Sequence, residues 1–361
     1  MKEIDIRENL ITGRQMTFIL IHIAVGVGFL SIARSIVTEG GRGGWITVLL
    51  AGIFWIGAIY IMGKLARIFP DQLVFNYVEI IVGKILGKII VFLYFVYLLF
   101  IISLILSQFA AILNSFLLPK TPIPVLLFSM LVVVGYLAEK QLKNIGRVFE
   151  HLFFLLSLGF GVLLPIIFRI DRYNLFFEIE FSKLLKGTQV SLFSLAGLES
   201  FLVMYPLVKE KKNIQKFAYL SVAMVVLLYV YIVIINLGYY GEDVIAEVIW
   251  PTINLSKVIR VPFLGRLEFT FVLLWVIFAF TTVSGLYYLL VFGLQQKIPV
   301  KDKRKLNLFL IPVIYVITQI PKNLIEIFEL SQYAGIFSVI FGFFIPLILL
   351  IIARIRGFQE G

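Results

Sequence analysis

The chain has 361 residues, of which 61% are hydrophobic and only 15% charged, with a mean hydropathy of +1.02. A soluble domain carries about 45–50% apolar and about 25% charged residues, so a water-soluble enzyme and a disordered chain are both excluded. The absence of cysteine excludes disulfides, thiolate metal sites and a cysteine nucleophile, and two histidines leave little for metal or acid–base chemistry. Nothing in the composition calls for a cofactor.

A membrane-spanning helix needs roughly 20 mostly apolar residues. Ten runs read as spans: 15–33, 45–63, 89–118, 123–138, 148–168, 184–208, 218–240, 267–292, 306–320 and 333–353. Membrane strands would be shorter and would alternate in polarity, so helices are predicted. The first run is long, and Arg34 and Arg42 follow it where a small-residue cleavage site would stand. It therefore reads as the first helix of the protein and not as a leader. The longest loop, about 241–266, is expected to carry a short external helix around 251–259, and Pro206, Pro251 and Pro312 are expected near span ends or in loops.

About two thirds of the 32 Lys and Arg residues fall in alternate segments, beginning with the N-terminal one. The positive-inside rule then predicts cytoplasmic termini at both ends. The formal charge of +11 is explained by topology and by contact with anionic membrane lipid. No loop is long enough to form a domain that would present it to nucleic acid.

One transmembrane domain, 1–361, is expected, divided into repeats of about 15–169 and 184–353. Five helices per half is an odd number, so the second half enters from the opposite side, the condition for an inverted repeat. The first helix of each half looks interrupted. One carries Gly26 and Gly28; the other carries Ala196-Gly197-Leu198-Glu199. Paired interruptions at matching places point to a ligand site at the membrane midplane. The alternative for each is close helix packing through small residues.

Glu199 is the acid that falls clearly inside a span, where an ionised carboxylate costs about 2.5–3.5 kcal/mol on insertion scales. It is either a cavity residue that binds ligand or takes up a proton, or a structural carboxyl joining two helices. His22, one turn before Gly26, either titrates near neutral pH or bonds between helices. Thr281, Thr282 and Ser284 either bond to their own helix backbone or line a polar cavity that holds ligand or a monovalent cation. Tyr94, Tyr97, Ser103, Ser107, Gln108 and Asn114 form a polar seam on the third span, and Tyr97 and Ile101 share one face of it. No paired membrane acids, phosphate loop or nucleophile–base pair supports an enzyme.

The stretches Gly26-Val-Gly28-Phe-Leu30, Gly44-Trp45-Ile46-Thr47, Ile249-Trp250-Pro251-Thr252-Ile253 and Phe280-Thr281-Thr282, together with Gly197-Leu198-Glu199, resemble the B subunits of endospore germinant receptors, the spore germination permeases. The resemblance runs from about residue 15 to 353. It implies the five-plus-five, LeuT-like fold of the amino acid–polyamine–organocation superfamily. It also implies a subunit that senses a small nutrient such as an amino acid, with A and C subunits as partners, in the spore inner membrane or cell membrane. Ligand contacts implied by matching position are Gly26, Gly28, Tyr97, Ile101, Ala196, Glu199 and Thr282, with Gly197 and Leu198 in the break itself. The rival expectation is an ion-coupled amino-acid transporter.

Overall fold

A computed structural model describes residues 9–26, 28–176, 180–259, 266–300 and 302–359, and these residues are helical with short connections. The first membrane crossing is made in two pieces, α1 (Gly13–Val25) and α2 (Ile32–Gly40). A capping box fixes the start of α1: Thr12 accepts from the Gln15 N–H, and the Gln15 side chain accepts from the Thr12 N–H. There follow α3 (Gly44–Ile68), the short α4 (Val74–Val82), α5 (Lys84–Phe116), α6 (Ile123–Ala138) and α7 (Leu142–Gly161).

The second half repeats this order. The sixth crossing is again split, into α8 (Phe181–Ser194) and α9 (Ser200–Met204). It is followed by the long α10 (Ile214–Glu247), the short α11 (Pro251–Ser256), α12 (Leu267–Lys297), α13 (Lys303–Thr318) and a last crossing built of α14 (Leu324–Val339) and α15 (Ile345–Ile355). The pairing shows in the lengths: α5 and α12 have 33 and 31 residues, and α6 and α13 have 16 each. Among the described residues, six helices are long and apolar enough to cross a membrane unaided. The chain is an integral membrane protein of ten crossings.

The split helices sit at the centre. α1 packs against α10, α7 and α12; α2 packs against α10 and α8; α3 also lies on α8 and α10. Burial follows this arrangement, since twelve of the thirteen residues of α1 are buried, whereas α6 and α7 turn Phe128, Tyr136, Phe154 and Leu158 outward.

Several boundaries differ from the sequence reading. The first crossing runs on to Gly40 instead of ending near residue 33, because Arg34 and Glu39 face a cavity and lipid does not forbid them there. The last crossing begins at Leu324, well before 333, and a π-helical turn at Ile340–Phe344 divides it. Pro312 lies inside α13, not at its end. The short helix expected around 251–259 is α11, which stops at Ser256.

Candidate functional site

Both breaks are made by glycine in conformations that side chains rarely adopt. Gly26 has φ 48° and Gly197 has φ 108°. Gly197 is also closely covered: a Cβ there would lie 2.6 Å from the Ile23 side chain and 3.2 Å from the Ile23 carbonyl. The two breaks therefore touch each other, and each helps define the other's shape.

Above them lies a cavity of about 660 Å³, open to the face away from the N-terminal segment. Gly26, Gly28 and Ala196 border it at the breaks, and Ile23, Ile101, Ile105 and Phe193 make an apolar wall. Gly28 is exposed, with no atom within 4 Å of the position of a Cβ. Gln108, Ser194, Ser331 and Tyr229 add polar groups, and Arg34, Glu39, Lys186 and Glu329 stand nearer the opening. Gln108 bonds to Ser331, which couples α5 to α14 across the wall. Just past the first break the short 3₁₀ turn Gly28–Leu30 leads into α2. Backbone N–H groups at such a half-helix start suit an anionic group.

Tyr97 lies one turn below Ile101 and belongs to the layer that closes the cavity. Its hydroxyl donates to Glu199 Oε1 at 2.6 Å. Ser338 and the Gly197 N–H donate to Oε2 at 2.6 and 2.8 Å. Glu199 is thus 2% exposed and held by α5, α14 and the second break. Its carboxyl does not border the large cavity; on its other side is a small void of about 30 Å³ against Tyr94, of the size that one water fills. Phe341, in the π-helical turn, stacks on Tyr97 at 5.5 Å and seals the layer further.

His22 is completely buried. The Phe149 carbonyl, 3.0 Å away, can only accept, so Nε2 carries the proton and Nδ1 faces the Thr281 hydroxyl at 2.8 Å. Thr282 donates to the His22 carbonyl at 2.6 Å and lies within reach of its own helix at Phe278. Ser284 is buried with no hydrogen-bond partner among the described residues. The two threonine hydroxyls join α12 to α1, and none of the three residues lines the cavity. Most of the α5 seam is likewise used between helices: Ser103 and Ser107 donate to backbone carbonyls of α5 and α13.

The opposite end is strapped shut. Ile11 and Val208 form a parallel bridge, with Ile11 N–H donating to Leu207 O at 2.8 Å and Lys209 N–H donating to Ile11 O at 3.0 Å. Glu210 accepts from the Gly13 N–H at 2.8 Å, where the start of α1 favours negative charge. Lys211, in the connection before α10, donates to Pro70 O and Tyr205 O, and burial lowers its ammonium to about 8. The inner ends of the two split helices are thereby tied together while the cavity is open at the other face.

Of the residues singled out from sequence, Gly26, Gly28, Ile101 and Ala196 border the cavity; Tyr97, Gly197, Leu198, Glu199 and Thr282 support its floor, with His22, Thr281 and Ser284 beneath the first break. Sequence reasoning missed Tyr229 and Ser338. Each is flanked mainly by apolar residues in its helix, and its partner is more than a hundred positions away.

A profile of the family described as "Spore germination protein" matches residues 10–327. Spore germination protein YndE of Bacillus subtilis (strain 168) is 28% identical over 356 residues, covering 96% of this chain and 97% of that protein. Spore germination protein GerQB of Bacillus cereus is 25% identical, covering 93% of each. The crystal structure of MhsT in complex with L-phenylalanine matches with a TM-score of 0.65 at 12% identity, over 98% of this chain and 100% of the other. The fold is therefore the ten-helix, five-plus-five LeuT-like arrangement with both first helices interrupted.

Proposed function

This chain belongs to the spore germination protein family, and from that premise we propose that it is the nutrient-sensing subunit of a germinant receptor, binding a small amino acid with an apolar side chain in the cavity between the two breaks. The observation that carries this reading is the juxtaposition of Gly28, open and at the start of a half-helix, with the wall of Ile101, Ile105 and Phe193. The half-helix start suits a carboxylate, and the wall suits an aliphatic or aromatic side chain. The likeness of the fold to MhsT, determined with L-phenylalanine, supports the same class of ligand.

Ligand occupancy would act by shifting a population between two conformations. A full switch requires preference for one of them by about 5.5 kcal/mol. The Ile11–Val208 strap joins both split helices at the far end, so a change at the breaks reaches the surface through it. The A and C subunits would read that change in the spore inner membrane. The basic loops support placing that surface, and both termini, on the cytoplasmic side.

A thermal-shift screen of the purified chain against the common amino acids tests this. One or a few apolar amino acids are expected to raise the unfolding midpoint, following RT ln(1+[L]/Kd), and Ala196→Trp is expected to abolish the rise by filling the site. A screen in which none of them stabilises the protein overturns the reading. The transporter fold favours a second reading, an amino-acid transporter. Sustained uptake of the stabilising amino acid into reconstituted vesicles would establish it; binding without flux supports the sensor.

A further inference from the structure

A half-helix that ends inside a membrane leaves its last four carbonyls without helical partners, and that end of the helix dipole is negative. Such ends commonly hold a cation in membrane proteins. The end of α1 is of this kind, and its four carbonyls belong to His22, Ile23, Ala24 and Val25.

Each of them is covered by the protein itself. The Tyr229 hydroxyl, from α10, donates to Ala24 O at 2.9 Å and Val25 O at 3.0 Å. The Thr282 hydroxyl, from α12, donates to His22 O at 2.6 Å. Gly197 lies against Ile23 O, so closely that a Cβ would approach it to 3.2 Å. Tyr229 is 1% exposed and its ring also borders the large cavity. We infer that the Tyr229 phenol, with Thr282 beside it, is a built-in, uncharged occupant of the cation seat at the first break, and that the site works without a coupling cation.

The consequence for ligand rests on the reading of the cavity given above: an amino acid would bind equally well in sodium and in choline. The geometry also leaves Thr281 and Thr282 no free hydroxyl for a sodium ion, since both are engaged with α1 and their own helix. Tyr229 acts here as a positioning residue. It fixes the carbonyls of the break, and through them the conformation of Gly26.

The test needs no amino acid, so its failure is separate from failure of the ligand screen. The unfolding midpoint of the purified wild-type chain is measured in sodium, lithium, potassium and choline chlorides at equal concentration. The four are expected to agree within about 2 °C. Tyr229→Phe removes the donor from two carbonyls and opens the seat. Its midpoint is expected to be lower in choline and to recover selectively with sodium or lithium, a response that loss of packing alone would not produce. Thr282→Ala opens the His22 carbonyl and gives the same readout should the phenylalanine variant not fold. A wild-type midpoint that climbs with sodium overturns the inference. So does a folded variant with the seat opened that is indifferent to the cation.

Discussion

The Tyr97 hydroxyl lies 2.6 Å from Glu199 Oε1, one helical turn below the cavity wall at Ile101. With Ser338 and the Gly197 N–H on the other oxygen, this contact makes Glu199 the junction of α5, α14 and the second break. The carboxyl shapes the floor of the site from beneath.

The cost of changing Glu199 follows from its three donors. Glu199→Leu leaves all three buried and unpaired, at about 1–3 kcal/mol each. Glu199→Gln keeps an amide oxygen to accept from Ser338 and the Gly197 N–H, and the Tyr97 hydroxyl can turn to accept from the amide nitrogen. The expected order of unfolding midpoints is wild type, then Gln, then Leu. Tyr97→Phe removes one donor to a carboxyl and should cost about 1.5–3 kcal/mol. Equal midpoints for the Gln and Leu variants would show that the carboxyl has no structural role.

Glycine is required at one break position for two reasons at once. Gly197→Ala places a methyl 2.6 Å from the Ile23 side chain in a backbone conformation with φ 108°, and such strain costs about 1–3 kcal/mol. Gly28→Ala meets open space and should leave the midpoint almost unchanged while weakening ligand binding. Were the two variants equally stable, the breaks would not be coupled as described.

The breaks were legible because Gly26, Gly28 and Gly197 interrupt otherwise continuous apolar runs at matching places in two halves. The polar contacts that surround them were not. Tyr229 meets Ala24 across 205 positions, and Ser338 meets Glu199 across 139. A tyrosine or serine within an apolar stretch of helix looks the same whether it faces a carbonyl, a carboxyl or lipid. The α2 boundary failed for a related reason. Arg34 and Glu39 read as the end of a span, since hydropathy cannot distinguish a water-filled cavity from a loop. Glu199 was found because a membrane acid is conspicuous, but which way its carboxyl turns depends on partners from three helices.

Alkaline pH should stabilise the closed end. Burial lowers the Lys211 ammonium to about 8 against the opposing pull of Asp71, whereas an unfolded lysine titrates near about 10.4. Between these values the unfolded chain holds more protons than the folded one, so stability rises with pH across the window and levels off above it. Lys211→Met should flatten that rise, read as unfolding midpoint against pH. An unaltered slope in the variant would assign the titration to other groups.

The absence of native cysteine makes the direction of the opening directly measurable. A single thiol introduced at a cavity-lining position can be labelled only where water and reagent reach it. Gly28→Cys fits because no atom lies within 4 Å of its Cβ position, and Ala196→Cys sits on the same surface. Leu198→Cys, two residues further along and fully buried, is the control. In sealed vesicles of known orientation, a membrane-impermeant maleimide should modify the first two from the face away from the N-terminal segment, and leave Leu198→Cys unmodified. Saturating ligand should slow labelling at Ala196→Cys, by occlusion or by closure of the opening. Labelling from the N-terminal face instead would mean that the Ile11–Val208 strap opens at rest. The arrangement with both split helices tied at their inner ends would then not be the resting state of the protein in a membrane.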